Sequence, residues 1–182
     1  MKVEATTIED VKLIRPVVHA DGRGFLFEMW RTEQLRNAGI DGTFVQENRS
    51  HSRRGVLRGL HYQIRQAQGK LVSVVQGRIF DVAVDLRRSS PSFGKWVGKE
   101  LSGQDKAMLW IPEGCAHGFL TLSETADVIY GCTNTYLPEG ERTILWNDPD
   151  LAIDWPLDDI TDPIVSEKDS KGSAFKQADL FP

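Results

Sequence analysis

The fold is decided by the stretch Gly55-Val-Leu-Arg-Gly-Leu-His61-Tyr-Gln63. In this stretch Gly55 precedes His61 by six positions, and Gln63 follows His61 by two. A second stretch, Pro112-Glu-Gly-Cys-Ala-His117, also ends on a histidine. Both lie in a chain of short segments rich in Val, Ile, Phe and Trp, with Gly and Pro between them. That pattern is typical of a β-sandwich or a β-barrel.

The remaining strand candidates support an all-β chain of antiparallel strands with a few short helices. The predicted strands are Lys12–Val18, Thr43–Gln46, Lys70–Val75, Ile79–Leu86, Trp96–Leu101, Ala107–Ile111, Gly118–Leu122, Ala126–Thr133 and Thr143–Trp146. A short helix is predicted at Glu33–Ala38, with Thr32 capping its start and Gly39 its end. A second one is expected near Ser166–Lys171. Asp81 and Asp85 interrupt the otherwise apolar segment Ile79–Leu86.

Composition limits the class of protein. The 182 residues fit one domain, expected to span residues 1–182. The net charge of −4 gives no basic field for nucleic acid. No apolar run approaches the ~20 residues that span a bilayer, and Met1–Ala5 lacks the apolar core of a secretion signal, so a cytoplasmic location is expected. Cys115 and Cys132 are interpreted as small buried hydrophobic residues and not as a disulfide.

The two histidine stretches resemble the sequence motifs of the cupin superfamily. The first cupin motif has a glycine, five residues, His-x-His and then a glutamate ahead of a second glycine. Gly55 and His61 fit it, whereas Gln63 replaces the second histidine and Lys70 stands at the glutamate position before Gly77. The stretch ending at His117 resembles the second motif. The resemblance implies a cupin-type jelly-roll barrel with His117 near His61.

The substituted positions argue against a metal cofactor. Metal-binding cupins use three histidines and one glutamate, where this chain has His61, Gln63, Lys70 and His117. A lysine ammonium has no lone pair for a metal, and its charge repels a dication. We therefore expect no metal and no other cofactor, but acid–base chemistry and anion binding. A single histidine in a strand is equally compatible with a purely structural role.

Further motifs over nearly the whole chain resemble the dTDP-4-dehydrorhamnose 3,5-epimerase family. They are Asp21–Phe25 with Glu28, Phe44–Ser50, Gly55–Gln63, Gln68–Val72, Asp81–Arg87, Ser90–Gly94, Leu109–Phe119, Tyr130–Thr133, Tyr136–Glu141, Trp146–Pro149 and Ser166–Asp169. Leu26 and Thr135 depart from the family pattern, because each replaces an aromatic residue. The resemblance implies homodimers with exchanged N-terminal strands.

The resemblance also implies site residues. His61 matches the general base, Asp169 its carboxylate partner, Tyr130 the general acid and Lys70 the residue beside the substrate ketone. The positions that match ligand contacts are Arg23, Glu28, Gln46, Asn48, Arg58, His117, Tyr136, Glu141 and Lys168. The implied reaction converts dTDP-4-dehydro-6-deoxy-D-glucose to dTDP-4-dehydro-L-rhamnose, in dTDP-L-rhamnose biosynthesis.

The residue types suit that chemistry. A ketone at C4 acidifies the protons on C3 and C5, so inversion needs a base and an acid on opposite faces of the ring. Strand alternation places Ala126, Val128, Tyr130 and Cys132 on one face, which we expect to be interior. Arg23 and Arg58 can bind a diphosphate through their two-pronged guanidinium groups. Taken alone, Tyr130 could be a packed interior residue, Lys70 an exposed strand end and Arg23 part of an ordinary turn.

The sequence alone leaves other functions open. An epimerase that inverts one carbon only would use the same residues. A cupin-type ketoisomerase would move the ketone and is usually a shorter chain. A non-catalytic sugar-nucleotide-binding cupin would have no need of His61, Tyr130 and Asp169 together. A metal-dependent cupin dioxygenase or isomerase would need the missing metal ligands.

Overall fold

Two antiparallel sheets pack face to face in the computed structural model, which describes residues 1–182. The strands are β1 (Lys2–Ala5), β2 (Lys12–Arg15), β3 (Val18–Asp21), β4 (Gly24–Phe27), β5 (Gln46–Arg53), β6 (Val56–Gln63), β7 (Lys70–Gln76), β8 (Arg78–Asp85), β9 (Trp96–Ser102), β10 (Met108–Ile111), β11 (Cys115–Thr121), β12 (Thr125–Cys132), β13 (Glu141–Thr143) and β14 (Ile164–Val165). Two short α-helices, α1 (Thr32–Asn37) and α2 (Glu167–Ser170), and two single turns of 3-10 helix, Pro138–Gly140 and Phe175–Gln177, complete the fold. The all-β prediction is confirmed.

The strand order fixes which segments meet. The first sheet runs β1-β2-β10-β7-β12-β5, and the second runs β13-β6-β11-β8-β9, with β14 parallel to β6. Strands β3 and β4 form a separate two-stranded ribbon. No helix in the structure has the length and apolar character needed to cross a membrane.

The central strands β8 and β11 of the second sheet are buried on both faces, which explains their nearly continuous apolar sequences. Along β8, Ile79 and Ala83 face the core between the sheets, while Val82 and Val84 face the opposite side. The chain after β13 covers that opposite side and contributes buried Leu151, Trp155 and Ile144. A strand buried on both sides loses the alternation of apolar and polar residues that marks a half-exposed strand.

Several predicted boundaries need correction. The predicted strand Lys12–Val18 is two strands, because β2 ends at Arg15 and β3 begins at Val18 on either side of Pro16, whose nitrogen has no hydrogen to donate. The predicted strand Thr43–Gln46 touches β5 only at its last residue. Thr32 does not cap α1: Arg31 is the N-cap residue, without a side-chain hydrogen bond, and Thr32 is already helical.

Candidate active site

A polar cavity opens between the two sheets at one end of the sandwich. Its outer part, about 230 Å³, is lined by Gln46, Asn48, His61, Tyr62, Gln63, Gln68, Lys70, Tyr130, Tyr136 and Glu141. We call this part the outer cavity. A smaller part of about 130 Å³, the inner chamber, is lined by Ser50, Arg58, His61, Lys70, His117, Gly118, Phe119 and Tyr130. His61, Lys70 and Tyr130 border both parts and therefore stand at their junction.

His61 forms a pair with Asp169. His61 lies on β6, and its Nε2 is 2.6 Å from Oδ1 of Asp169, in α2. The carboxylate also accepts the backbone N–H of Gly59 at Oδ2, 3.1 Å away. Ser166 caps α2 by accepting the N–H of Asp169. These contacts fix the carboxylate, which in turn orients the imidazole.

The charge of Asp169 is favoured at this position. Burial works to raise the pKa of Asp169, but the hydrogen bond and charge of His61, together with the N–H of Gly59 and the contact with Ser166, hold it below its ordinary value. Asp169 is therefore a carboxylate at neutral pH. A carboxylate beside one imidazole nitrogen favours a proton on that nitrogen and leaves the other nitrogen free to accept one.

Gly59 allows this arrangement because no other residue fits its position. Its φ is +112°, and a Cβ there would lie 2.6 Å from both the Cα of Gly118 and the carbonyl oxygen of His117. The β6–β11 pairing shifts register between His117 and Phe119, alongside this close approach. The resulting irregularity lies two residues before His61 and presents the Gly59 N–H to Asp169.

A second histidine–aspartate pair lies behind the first. His117 is the register partner of His61 on the adjacent strand β11, and its Nε2 is 2.7 Å from Oδ1 of Asp81 on β8. Burial is the largest cause that lowers the pKa of His117, and the nearby charges of Lys70 and His61 lower it further, against the opposing effect of Asp81. His117 is consequently neutral at physiological pH and bound to a buried carboxylate.

Lys70 brings a buried positive charge to the junction of the two parts. It begins β7, its register partner on β12 is Cys132, and the residue is only 8% exposed. Burial lowers the pKa of its ammonium, while Cys132, Asp81 and Glu141 oppose that shift. A buried cation that faces a cavity is poised to bind an anion or a developing negative charge.

Tyr130 enters the cavity from the wall opposite His61. Tyr130 lies on β12 of the first sheet and His61 on β6 of the second, yet both border the same two spaces. Burial is the main cause that raises the pKa of the phenol, Cys132 adds to the rise and Arg58 opposes it. The phenol therefore keeps its proton at neutral pH. Two groups able to accept and donate protons thus face each other from different sheets.

Comparison with known proteins decides the family. The family model described as dTDP-4-dehydrorhamnose 3,5-epimerase matches residues 5–177. The chain belongs to the dTDP-4-dehydrorhamnose 3,5-epimerase family. A Pseudomonas aeruginosa protein of that name is 56% identical over 183 residues, covering 100% of both chains.

Solved structures of other epimerases share the fold. The Legionella pneumophila dTDP-6-deoxy-D-glucose-3,5-epimerase, in complex with dTDP-4-keto-L-rhamnose, superposes with a TM-score of 0.95 and 48% identity, covering 99% of this chain and 97% of that one. A 3′-monoepimerase from Streptomyces bikiniensis, in complex with dTDP-quinovose, gives a TM-score of 0.88 and 35% identity, covering 96% and 88%. The cupin-type fold is therefore common to double and single epimerases.

Most site residues expected of a 3,5-epimerase meet in the cavity of this family member. At its mouth, the Tyr136 hydroxyl donates to Glu141 over 2.7 Å, and Lys168 Nζ lies 2.5 Å from the same carboxylate. Gln46 donates through Nε2 to Asn48 over 3.2 Å and accepts the backbone N–H of Tyr136. Gln46, Asn48, Tyr136 and Glu141 thus form a connected polar rim on the outer cavity, and Lys168 joins it through Glu141.

Two expected epimerase residues lie elsewhere. Arg23 is exposed on the β3–β4 ribbon, where it pairs with Asp21 over 2.6 Å. Glu28 follows the ribbon and pairs with Arg31 over 2.8 Å. Neither borders the outer cavity or the inner chamber of the same chain. Arg58, by contrast, borders the inner chamber and donates from Nε to Ser52 Oγ over 3.0 Å.

The sequence patterns assign no role to Asp81, although the residue itself carries a signal. A fully buried aspartate in the apolar segment Ile79–Leu86 needs a partner, and His117 is that partner. Gln63, at the position of a cupin metal ligand, instead joins two loops. It accepts from the Leu137 N–H and donates to the Thr135 carbonyl between β12 and β13, and it also donates to the Gln66 carbonyl between β6 and β7. No group of three or more His, Cys, Asp or Glu side chains suited to a metal occurs in the structure.

Proposed function

We propose that the protein converts dTDP-4-dehydro-6-deoxy-D-glucose to dTDP-4-dehydro-L-rhamnose by inverting C3 and C5, without a cofactor. The observation that carries this proposal is the placement of His61 and Tyr130 on opposite walls of one cavity. Lys70 lies beside them, where the outer cavity meets the inner chamber. The identity of 56% to a protein named for this activity supports it over a non-catalytic sugar-nucleotide-binding cupin.

Proton removal is the first step. With its Nε2 held by Asp169, His61 takes the proton from C3 or C5 through its other ring nitrogen. The electron pair of the C–H bond moves into an enolate, whose negative charge lies largely on the C4 oxygen. The buried ammonium of Lys70 stabilises that oxygen, because a charge in a dry site interacts more strongly than in water.

Proton return to the opposite face is the second step. Tyr130 donates its phenolic proton to the same carbon from the other wall, and the configuration inverts. This leaves a protonated imidazole and a phenolate, and proton exchange with water restores both groups before the next carbon reacts. Two rounds, one at C3 and one at C5, give the product.

The substrate's diphosphate and nucleoside extend toward the polar rim in this proposal. Arg58 borders the inner chamber, and in this proposal its guanidinium, with Nε held by Ser52, binds the diphosphate where it leaves that chamber for the rim. Gln46, Asn48, Tyr136, Glu141 and Lys168 contribute polar contacts at the mouth, and His117 contacts the sugar from the inner chamber.

We further propose a homodimer in which Arg23 and Glu28 serve the partner subunit's cavity. The ribbon that carries Arg23 is exposed along β3, and Phe25 and Leu26 on it are 61% and 74% exposed. The outer face of the first sheet carries a groove of about 360 Å³ lined by Met29, Trp30, Phe44, Val45, Leu71 and Met108, among others. Exposed apolar surface of this kind favours association with a second chain. Light scattering at micromolar concentration should give twice the mass of one chain, and a compact monomer would contradict the proposal.

Residues 1–182 act as a single domain in the cytoplasm in this account. The largest core cluster joins side chains from both sheets, for example Val72 and Val128 with Ala83 and Phe119. Cys115 and Cys132 are both free thiols, as expected in a reducing compartment.

Product analysis tests the proposed function. Purified protein and dTDP-4-dehydro-6-deoxy-D-glucose should give a sugar whose proton coupling constants report inversion at both C3 and C5. Inversion at one carbon would place the protein with the single-carbon epimerases, whose fold is shared by the Streptomyces bikiniensis enzyme. No inversion at either carbon would leave sugar-nucleotide binding as the function.

A further inference from the structure

The inward face of β5 carries polar side chains only. Gln46, Asn48, Ser50 and Ser52 alternate along it and stand opposite Cys132, Tyr130, Val128 and Ala126 of β12. In an interior otherwise packed with apolar residues, each of these four polar groups needs a hydrogen-bonding partner. Gln46 and Asn48 border the outer cavity, and Ser50 borders the inner chamber.

Three of the four side chains have partners. Gln46 accepts from the Tyr136 N–H, Asn48 donates to Cys132 Sγ, and Ser52 accepts from Arg58 Nε. The buried Oγ of Ser50 has none. Native proteins rarely leave a buried hydroxyl unpaired, so an unpaired one in the wall of a ligand chamber indicates a partner supplied by the ligand.

The position of Ser50 indicates which part of a ligand it would meet. It shares the inner chamber with His61, Lys70 and Tyr130, the groups that the proposed function places around the sugar ring. Ser52, two residues further along β5, already accepts a hydrogen bond from Arg58, which the proposed function places at the diphosphate. A serine side chain turns among three staggered positions about χ1, so its hydroxyl can reach the chamber without backbone movement.

The chemistry of the substrate indicates which of its hydroxyls Ser50 would bind. In a 4-dehydro-6-deoxyhexose joined to diphosphate at C1, free hydroxyls remain only on C2 and C3. The C3 hydroxyl changes sides when C3 inverts, whereas the C2 hydroxyl keeps its configuration throughout. A partner fixed on a strand suits the group that stays in place during both inversions.

We propose that Ser50 is a substrate-binding residue whose hydroxyl hydrogen-bonds the C2 hydroxyl of the hexose. The bond holds the ring between His61 and Tyr130 and makes the site selective for sugars that carry a C2 hydroxyl. This inference rests on the proposed function.

A binding cycle tests the inference. Calorimetry would measure the affinities of wild type and Ser50→Ala for dTDP, dTDP-glucose and dTDP-2-deoxyglucose. Ser50→Ala should bind dTDP as tightly as wild type and dTDP-glucose about fivefold to tenfold more weakly, the loss expected for one neutral hydrogen bond. Wild type should bind dTDP-2-deoxyglucose more weakly than dTDP-glucose by a similar factor. Ser50→Ala should bind these two ligands with nearly equal affinity.

Stability and a neighbouring variant supply the controls. Because Ser50 Oγ has no partner in the free protein, Ser50→Ala should melt at or above the wild-type temperature without ligand. Ser52→Ala, which releases Arg58, should weaken binding of all three nucleotides. Equal weakening of dTDP and dTDP-glucose by Ser50→Ala, unchanged affinity for dTDP-glucose, or independent effects of the two hydroxyls would overturn the inference. Turnover by wild type in parallel tests the proposed function separately.

Discussion

The Nε2 of His61 and the Oδ1 of Asp169 lie 2.6 Å apart, although 108 positions separate the two residues in the chain. The pairing depends on β6, on the cap that Ser166 gives α2, and on the close approach at Gly59. The proposed base is therefore a product of tertiary structure, and its carboxylate partner can be removed separately from the imidazole.

Replacing Asp169 tests that partnership. Asp169→Asn should lower kcat about 10²–10⁴-fold with a smaller effect on KM, because the imidazole loses the group that sets its tautomer and stabilises its charged form. Steady-state kinetics with the 4-dehydro sugar nucleotide checks this. Asp159→Asn is the matched control, since the Asp159 side chain is 83% exposed and makes only a 3.5 Å ion pair with Arg54. Equal kcat for both variants would remove Asp169 from the mechanism.

The lowered pKa of Asp169 also predicts how the stability of the protein depends on pH. Its pKa is lowered in the folded state, so its contribution to the free energy of unfolding is present above its ordinary pKa of 3.8 and is lost as pH falls through the lowered value. Urea unfolding of wild type and Asp169→Asn should therefore differ most near neutral pH, and the difference should shrink in acid. A constant difference across this range would contradict the assignment of charge to Asp169.

Tyr130→Phe should separate proton removal from inversion. The variant keeps the base, so exchange of substrate protons with solvent should survive in part, while inversion should fall about 10²–10⁴-fold because no donor faces the opposite side of the ring. We expect the larger defect at C5. Tyr62→Phe is the comparison: Tyr62 also lines the outer cavity, but its hydroxyl donates to the carbonyl of Asp179, so inversion should stay near the wild-type rate. Intact inversion at both carbons in Tyr130→Phe would show that another group is the acid.

Lys70 should lower the stability of the folded protein and be necessary for turnover. Lys70→Met should lower kcat about 10²–10³-fold, the loss typical when one group that stabilises an oxyanion is removed. The same change should raise the melting temperature at neutral pH, because burial disfavours the ammonium.

The sign of the pH effect follows from the lowered pKa of Lys70. The free-energy cost of burying the charged Lys70 is fully present below its folded-state pKa. It disappears as pH rises toward the ordinary value of 10.5, so the stability advantage of Lys70→Met should shrink in alkali. Thermal melts across this range measure it. Lys176→Met, whose wild-type side chain is 74% exposed, should show no such gain. A Lys70→Met protein less stable than wild type at neutral pH would contradict the account.

Turnover should survive removal of metal ions. The positions that bind metal in related cupins hold His61, Gln63, Lys70 and His117 here, and an ammonium cannot act as a ligand. Dialysis against excess EDTA should leave kcat and KM unchanged, with metal content followed by mass spectrometry. Loss of activity that one divalent ion restores would show that a metal takes part.

The sequence predicted the apolar strands well and the polar ones poorly. β7, β10 and β12 follow their apolar or alternating patterns within one or two residues. β5 was predicted only at its first residue, because Gln-Glu-Asn-Arg-Ser-His-Ser-Arg contains no apolar residue. Three of its four inward side chains, Gln46, Asn48 and Ser50, border the polar cavity, and the fourth, Ser52, is buried. The strand therefore depends on its pairing with β12 and not on the burial of apolar side chains.

The sequence names most of the residues that line the cavity but gives little of their arrangement. Nothing local in the sequence pairs Asp169 with His61 or Asp81 with His117, since each pair joins separate elements. The position of Arg23 is a different case: within one chain it lies on an exposed ribbon, away from the cavity. Its proposed role depends on a second subunit, which no pattern within one chain can place.

The most direct test of the mechanism is proton NMR of dTDP-4-dehydro-6-deoxy-D-glucose in heavy water with wild type and His61→Asn. Wild type should replace the protons on C3 and C5 with deuterium as both centres invert. His61→Asn should leave both protons in place over the same period, because no other group removes them. Near-normal exchange in His61→Asn would contradict the account, and the identity of the base would have to be sought elsewhere in the cavity.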